Sequence, residues 1–374
     1  MRLPVCFLFT ILIAGCKMNK PEPKIDWFVG GKLPAQNAKT HIGVAGPVTG
    51  IIGDVLVVAG GANFPNGMPW EGGIKAYTKE AYFYSIGKQG ELDFLQAVPF
   101  EDSLAYSAIV SSKNGFYAIG GERKGQATSD VFHYSISNNT LMRKAFPSLP
   151  HPLTSGSATE VGDYLYFVGG ENADFVSDKV YRLDLKAGES AVWEEFIVIP
   201  ESLSHAILVT DGESKLLIAG GRKRNVNSKS TIYNAVLELK IDSKEFNEVT
   251  QLPESLAAGT GVYYEGNLII IGGDNAQTFH QVEELIGAIN LTIDEVEKQQ
   301  LIERKNAIQS SHPGFVKDVW VYNLHSKNWR KTDRISANSP VTTTAILHND
   351  IIIIPSGEIR AGVRTDQILM GRIK

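Results

Sequence analysis

The feature that most constrains this chain is an apolar strand ending in a glycine pair, which recurs along the whole sequence. Five clear copies and a degenerate sixth occupy residues 57–61, 117–121, 166–170, 217–221, 270–273 and 353–357. Their final glycines are 60, 49, 51, 52 and 84 residues apart. A period near 50 residues suits one four-stranded antiparallel sheet, so the repeat predicts an all-β propeller of six blades.

Each repeat also carries signals for its other strands. A tight turn precedes the glycine-pair strand, as at Asn114-Gly115, a sequence that favours the positive φ of a hairpin. An aromatic-rich third strand follows, and fourth strands are predicted at 94–99, 144–150, 193–200, 246–253 and 329–335. The sixth repeat lacks its fourth strand, and residues 27–34 have the missing pattern. We therefore expect the N-terminal strand to complete the sixth blade and close the ring.

The longest spacing contains an insertion at about 279–308, rich in Glu, Gln, Leu and Ile and without strand-like alternation. Its sequence at 292–295 resembles a helix capping box. Two helices are expected, at 280–289 and 294–308. They would either decorate the rim of one blade or form a wall over a substrate pocket.

The N-terminus has the pattern of an export signal, with an apolar run at 3–13 that is too short to span a bilayer as a helix. It ends in Ile-Ala-Gly-Cys16, which resembles a bacterial lipobox. We expect a signal peptide at 1–15, lipid on Cys16, a tether at 16–24 and the propeller at 25–374. The protein would be an exported lipoprotein at the periplasmic or outer-membrane face, touching the membrane through its lipid alone. The alternative is an ordinary signal peptide with a chance cysteine.

Composition excludes several classes of function. A net charge of −5 and a pI near 6.0 argue against nucleic acid as a partner. Both cysteines, Cys6 and Cys16, precede the propeller, which excludes a thiol nucleophile and a Cys-ligated metal within it. The eight histidines are scattered without metal-ligand spacing. We therefore expect neither a metal nor a cofactor.

Polar residues follow the glycine pairs, and loops at this point should converge at one mouth of the propeller's channel. These residues are Asn63, Glu122, Glu171, Arg222, Asn275 and Glu358. They predict a ring containing both carboxylates and cations. The alternative is a solvated rim without chemistry.

The degenerate sixth copy carries the most specific motif. Glu358 follows its glycine, and Arg364 comes six residues later, before Thr365 and Asp366. This segment resembles the Gly-Glu…Gly-Leu-Arg-Thr-Asp loop of the N-acetylneuraminate epimerases, or sialic acid mutarotases, with Val363 replacing leucine.

Further segments extend the resemblance to nearly the whole of 25–374. Residues 60–65 and 72–75 are similar to that family's glycine-rich loop, and 272–275 with the following insertion are similar to its interrupted blade. The segments come in a different order, as circular permutation of a closed ring would produce. The chain therefore resembles the cyclically permuted mutarotase branch, with a kelch-type propeller.

The resemblance implies an isomerase that interconverts the α and β anomers of N-acetylneuraminate. It implies that Glu358 and Arg364 form the catalytic pair, and the polar ring adds candidate substrate-binding residues Asn63, Glu122, Arg222 and Asn275. The alternative is a structural Glu358–Arg364 ion pair in a non-catalytic glycan- or protein-binding propeller. A copper oxidase on this fold would need a cysteine cross-linked to tyrosine, and a sialidase would show Ser-x-Asp-x-Gly-x-x-Trp boxes; the sequence has neither.

Overall fold

Six four-stranded antiparallel sheets surround a central channel in the computed structural model, which describes residues 23–36, 38–226 and 228–374. From the innermost strand outwards, blade 1 contains Val48–Ile52, Val55–Ala59, Glu80–Ile86 and Leu92–Pro99; blade 2 Ala108–Ser112, Gly115–Ile119, Val131–Ser137 and Thr140–Phe146; blade 3 Ser157–Val161, Tyr164–Val168, Lys179–Asp184 and Glu194–Val198; blade 4 Ile207–Thr210, Lys215–Ala219, Ala235–Lys240 and Glu245–Gln251; blade 5 Thr260–Tyr264, Asn267–Ile271, Val319–Asn323 and Asn328–Lys331; blade 6 Ile346–His348, Ile351–Pro355, Gln367–Ile373 and Ile25–Lys32. The predicted six-bladed propeller is confirmed.

The N-terminal strand closes the ring as the sequence predicts. Ile25–Lys32 is the outermost strand of blade 6 and runs antiparallel to Gln367–Ile373, with Ile25 opposite Ile373 and Lys32 opposite Gln367. Chain segments from both ends of the propeller therefore share one sheet, which hydrogen bonds hold shut.

Short two-stranded ribbons lie at the ends of four blades, on the side where the glycine pairs end. Two-stranded ribbons pair Ala62–Asn63 with Ala76–Tyr77, Glu122–Arg123 with Gln126–Ala127, Arg222–Lys223 with Thr231–Ile232 and Glu358–Arg360 with Val363–Arg364. The 3₁₀ helix Pro69–Glu71 follows one of these ribbon strands, whereas the 3₁₀ helix Leu185–Ser190 lies at the opposite end of blade 3, where the N–H of Leu185 donates to the carbonyl oxygen of Asp163.

The insertion of blade 5 forms two helices, α1 (Gln277–Leu291) and α2 (Glu295–Ser310). The capping-box prediction is wrong, because Asp294 is the N-cap of α2 and its carboxylate accepts hydrogen bonds from the N–H groups of Val296 and Glu297.

Six backbone hydrogen bonds form a closed ring around the channel, called the channel ring below, which the sequence did not predict. A residue two positions before the innermost strand in blades 1 to 5, and four positions before it in blade 6, adopts a positive φ of 51–61°. Each of these residues donates its N–H to the carbonyl oxygen of its counterpart in the neighbouring blade, at 2.7–3.1 Å. They are Gly46, Tyr106, Ser155, His205, Ala258 and Thr342. This ring ties all six blades together at the axis and fixes how far the neighbouring loops stand from the channel.

The glycine pairs form the joints between consecutive blades. In blade 3, the N–H of Gly170 donates to the carbonyl oxygen of Leu203, 2.9 Å away, at the entry to blade 4. A Cβ on Gly169 would lie 2.2 Å from that same oxygen. Blade 6 has Ser356 in the equivalent position, with φ of 58°. Its hydroxyl lies within donating distance of two carbonyl oxygens, those of Val44 at 2.9 Å and Thr365 at 2.6 Å.

The core lies between neighbouring blades. Val57 and Phe83 of blade 1, for example, pack in one buried cluster with Phe116 and Tyr134 of blade 2. The channel itself is lined largely by small and hydroxyl-bearing residues. Chemistry at the axis therefore depends on the side chains at its mouth.

Candidate active site

A cavity of about 390 Å³ lies at the channel mouth beside blades 4, 5 and 6. Its ionisable lining residues are His205, Arg222, Asp274, His312 and Glu358. Its apolar lining includes Ile232, Phe279, Val282, Ile286, Phe315 and Val341. Because α1 supplies three of these apolar side chains, the insertion forms a wall of the cavity. The volume falls within the range typical of small-molecule sites.

Glu358 enters this cavity from blade 6. Its backbone pairs with Val341, with N–H···O distances of 3.0 and 2.8 Å. Its Oε1 accepts a hydrogen bond from the N–H of Gly362 at 2.8 Å, and its side chain is 19% exposed. Burial raises the pKa of this carboxyl group above its usual range, although the Arg364 charge and the Gly362 N–H oppose the shift.

Arg364 lies beside Glu358 on the same hairpin, adjacent to the cavity lining. Its Nη2 is 3.5 Å from Glu358 Oε2, and its guanidinium is 4.7 Å from the centre of the Phe64 ring. The side chain is only 5% exposed. Nε and Nη1 are buried and have no hydrogen-bond partner in the part of the chain that the structure describes. The arginine therefore has unused capacity to bind an anion.

The other predicted charged residues lie on either side of this pair. Glu122 Oε1 accepts hydrogen bonds from Lys75 Nζ, at 2.8 Å, and from the Tyr77 hydroxyl, and it is not part of the cavity lining. Arg222 does line the cavity, and its Nη2 is 2.5 Å from Glu171 Oε1. Half of the predicted charged ring therefore contacts the cavity, and the rest flanks it.

His205 separates the channel from the cavity and lines both. Burial, assisted by the Arg222 charge, lowers the pKa of this histidine to about 4. It is therefore neutral at physiological pH and adds polarity without charge to the site.

Two predicted positions in the ring are displaced by one residue. Glu358 forms a backbone bridge with the segment that leads into the innermost strand of its own blade. The residues that form the equivalent bridges in blades 1 and 5 are Ala62 and Asp274, rather than Asn63 and Asn275. Asn63 Nδ2 donates to the carbonyl oxygen of Gly43 at 2.9 Å, and Asn275 Nδ2 to Glu254 Oε2 at 3.3 Å. Neither asparagine lines the cavity, because successive residues of an extended chain face opposite ways.

Asp274 is the site residue that the sequence analysis missed. It lines the cavity, and its Oδ1 accepts a hydrogen bond from the N–H of Ala276 at 2.8 Å. Burial raises the pKa of its carboxyl group. Its position directly after the last glycine of the pair was the available signal, since Glu358 holds that position in the sixth copy.

Cys6, Cys16 and the export signal lie outside the described residues, so the lipidation site stays a prediction. Within the described ranges, no helix is both long enough and apolar enough to cross a membrane. In the same ranges, no group of three or more His, Cys, Asp or Glu side chains is arranged to hold a metal ion.

The sequence of this chain is similar to those of known enzymes. Residues 146–374 match the family model described as N-acetylneuraminate epimerase. The N-acetylneuraminate epimerase of Haemophilus influenzae strain PittEE is 22% identical over 231 residues, which are 61% of this chain and 60% of the relative. The enzyme of that name from Salmonella typhi is 25% identical over 225 residues, 59% of this chain and 56% of the relative. The match thus spans less than two thirds of either relative.

A solved structure supports the fold at lower identity. The structure of YjhT aligns with a TM-score of 0.62 and 15% identity, covering 92% of this chain and 99% of YjhT. The family model matches more than half of the residues, and this chain belongs to the N-acetylneuraminate epimerase family.

Proposed function

We propose that this protein is a sialic acid mutarotase, which interconverts the α and β anomers of N-acetylneuraminate by opening and reclosing the sugar ring. One observation carries the proposal: Glu358 lines a cavity of small-molecule size, and the buried Arg364 beside it has two N–H groups without partners. The names of the related proteins indicate the same substrate.

Ring opening requires a base at the anomeric hydroxyl. In the proposed step, the Glu358 carboxylate takes the hydroxyl proton and the anomeric oxygen forms a ketone. The bond from the anomeric carbon to the ring oxygen breaks, and the ring oxygen receives its electron pair and a proton. Rotation of the open chain and reversal of these steps give the other anomer. A carboxyl group whose pKa is raised by burial is a stronger base than an exposed glutamate.

The anomeric carbon of a sialic acid carries a carboxylate, and Arg364 is the proposed partner of this group. A guanidinium can bind a carboxylate with two parallel hydrogen bonds. Nη1 of Arg364 is a free donor, and together with Nη2 it forms the end of the guanidinium that can present two parallel donors. Packing on Phe64 fixes the guanidinium plane. Bound in this way, the carboxylate would hold the anomeric centre beside Glu358.

The direct test follows freshly released α-N-acetylneuraminate by one-dimensional proton NMR, with and without the protein. Faster appearance of the β anomer supports the mutarotase. An unchanged rate would overturn the proposal for N-acetylneuraminate and leave either another sugar acid as substrate or the glycan- or protein-binding propeller. Glu358 lines the cavity although it also pairs with Arg364, and this access to a ligand favours the enzyme.

We expect Arg364→Lys to raise KM for N-acetylneuraminate by about 10- to 100-fold, the loss of a hydrogen bond to a charged group. Lysine keeps the positive charge but cannot present two parallel donors. KM would be measured by NMR exchange over a range of substrate concentrations.

The matched control for this variant is Arg143→Lys in blade 2. Arg143 also pairs with a carboxylate, that of Asp102, and also covers an aromatic ring, that of Phe132 at 4.8 Å. It lies outside the cavity, so its replacement should leave KM unchanged. Equal effects of the two substitutions would mean that Arg364 has only a structural role.

We also propose that the protein is exported and anchored by lipid on Cys16. The proposal rests on the sequence before the propeller, and the outermost position of Ile25–Lys32 in blade 6 puts the start of the fold away from the channel. Cys16→Ser should abolish incorporation of labelled palmitate and release the protein from the membrane fraction. Unchanged labelling of the variant would exclude this anchor.

A further inference from the structure

Asp274 and Glu358 occupy the same structural position in neighbouring blades. Each directly follows the glycine that ends its strand. The backbone of each pairs with the residue that immediately precedes its own blade's member of the channel ring. Asp274 pairs with Ala257 at 2.8 and 3.0 Å, as Glu358 does with Val341. Both carboxyl groups line the one cavity. Two acidic side chains therefore face the same cavity from adjacent positions around the axis.

Their surroundings differ in charge. Glu358 has the Arg364 guanidinium 3.5 Å away, which favours the ionised form. Among the described residues, no Lys or Arg nitrogen lies within 4.0 Å of the Asp274 carboxyl group. The N–H of Ala276 donates a hydrogen bond to this carboxyl group.

The other ionisable groups facing Asp274 do little to ionise it. Arg222 is engaged with Glu171 at 2.5 Å, and His280 Nε2 lies 3.0 Å from the carbonyl oxygen of Ser230. His312 Nδ1 accepts the N–H of Gly314 at 3.0 Å, so this ring is the neutral tautomer, and burial lowers its pKa. Burial raises the pKa of Asp274, as it does that of Glu358, but only Glu358 has a guanidinium beside it to favour its ionised form. A pair of carboxyl groups in unlike environments can serve as one acid and one base.

Resting on the mutarotase activity proposed above, we propose that Asp274 is the second acid–base group of the reaction. Asp274 gives its proton to the ring oxygen as the ring opens, while Glu358 takes the proton of the anomeric hydroxyl. The open-chain ketone then faces an ionised Asp274 and a protonated Glu358. On reclosure, Glu358 returns a proton to the ketone oxygen, and Asp274 recovers one from the hydroxyl that attacks. Both groups end as they began, and no further reactant is consumed.

Asp274→Asn separates this role from a structural one. Asparagine retains an oxygen that can accept the Ala276 N–H before α1, but it cannot donate an acid proton. We expect kcat to fall by about 10²- to 10⁴-fold, the usual contribution of one acid–base group, with little change in KM. The wild-type rate should rise with pH as Glu358 ionises and fall at higher pH as Asp274 loses its proton. The variant should lose the falling limb.

The matched control is Asp184→Asn, at the start of the 3₁₀ helix Leu185–Ser190. Asp184 lies in blade 3, outside the cavity. Its Oδ1 accepts the N–H of Lys186 at 2.8 Å, the same bond to the residue two positions later that Asp274 makes with Ala276. This variant should keep the wild-type rate and pH profile. If Asp274→Asn does not fold, Asp274→Ser keeps an acceptor for Ala276 and replaces it in the test.

The outcomes distinguish this inference from the proposed function. An active wild-type protein whose Asp274→Asn variant keeps both the rate and the falling limb would overturn the role of Asp274 alone. A wild-type protein that does not accelerate mutarotation would overturn both. Loss of rate and of the falling limb in Asp274→Asn, with Asp184→Asn unaffected, would establish the pair.

Discussion

Glu358→Gln should lower the rate of N-acetylneuraminate anomer interconversion by about 10²- to 10⁴-fold, the effect of removing a positioned general base. Glutamine has the same size and can still accept the Gly362 N–H, but it cannot take a proton. The rate would be measured by proton NMR from the freshly released α anomer. In the wild-type protein, activity should fall as the pH drops through the raised pKa of Glu358, because protonation removes the base.

Glu160→Gln is the matched control for this substitution. Glu160 lies on the innermost strand of blade 3, and burial raises the pKa of its carboxyl group as well. It does not line the cavity, so its replacement should leave the rate unchanged. A Glu358→Gln protein that is folded and fully active would show that another group opens the ring.

The periodic part of the fold could be predicted because every blade repeats the same local signals. The glycine pairs gave the number of blades, and the pattern at 27–34 gave the closing strand, found at Ile25–Lys32. Strand ends were less predictable. The outer strand of blade 2 is Thr140–Phe146 rather than 144–150, because Asn138 and Asn139 both take positive φ and turn the chain early. Terminal prolines were poorer markers than this hairpin.

The candidate site was predictable only where its residues are close in sequence. Glu358 and Arg364 share one hairpin, so their spacing alone brought them together. Asp274 was missed in favour of Asn275, since a shift of one residue reverses the direction of a side chain and the sequence does not reveal the register. The channel ring could not be predicted, because residues such as Tyr106 and Thr342 have no intrinsic preference for positive φ. The packing of α1 over the cavity is a long-range contact that no local pattern encodes.

Gly169→Ala should destabilise the protein by about 3–6 kcal/mol. The backbone φ of +65° costs an L-residue about 1–2 kcal/mol. The added Cβ would also lie 2.2 Å from the carbonyl oxygen of Leu203, which must move and weaken its hydrogen bond from Gly170. Overpacking and loss of such a bond cost about 1–3 and about 1 kcal/mol. Thermal unfolding measures the effect.

Gly162→Ala isolates the steric part of this cost. Gly162 lies at the other end of the same strand, Tyr164–Val168, with a φ of +60° and no atom within 4 Å of an added Cβ. It should lose only about 1–2 kcal/mol, the cost of positive φ. Equal losses in the two variants would show that the joint between blades 3 and 4 can open without penalty. In blade 6, Ser356 occupies the position equivalent to Gly169, so a Cβ is accommodated there. There the hydroxyl binds the carbonyl oxygen of Val44, a compensation that alanine cannot provide.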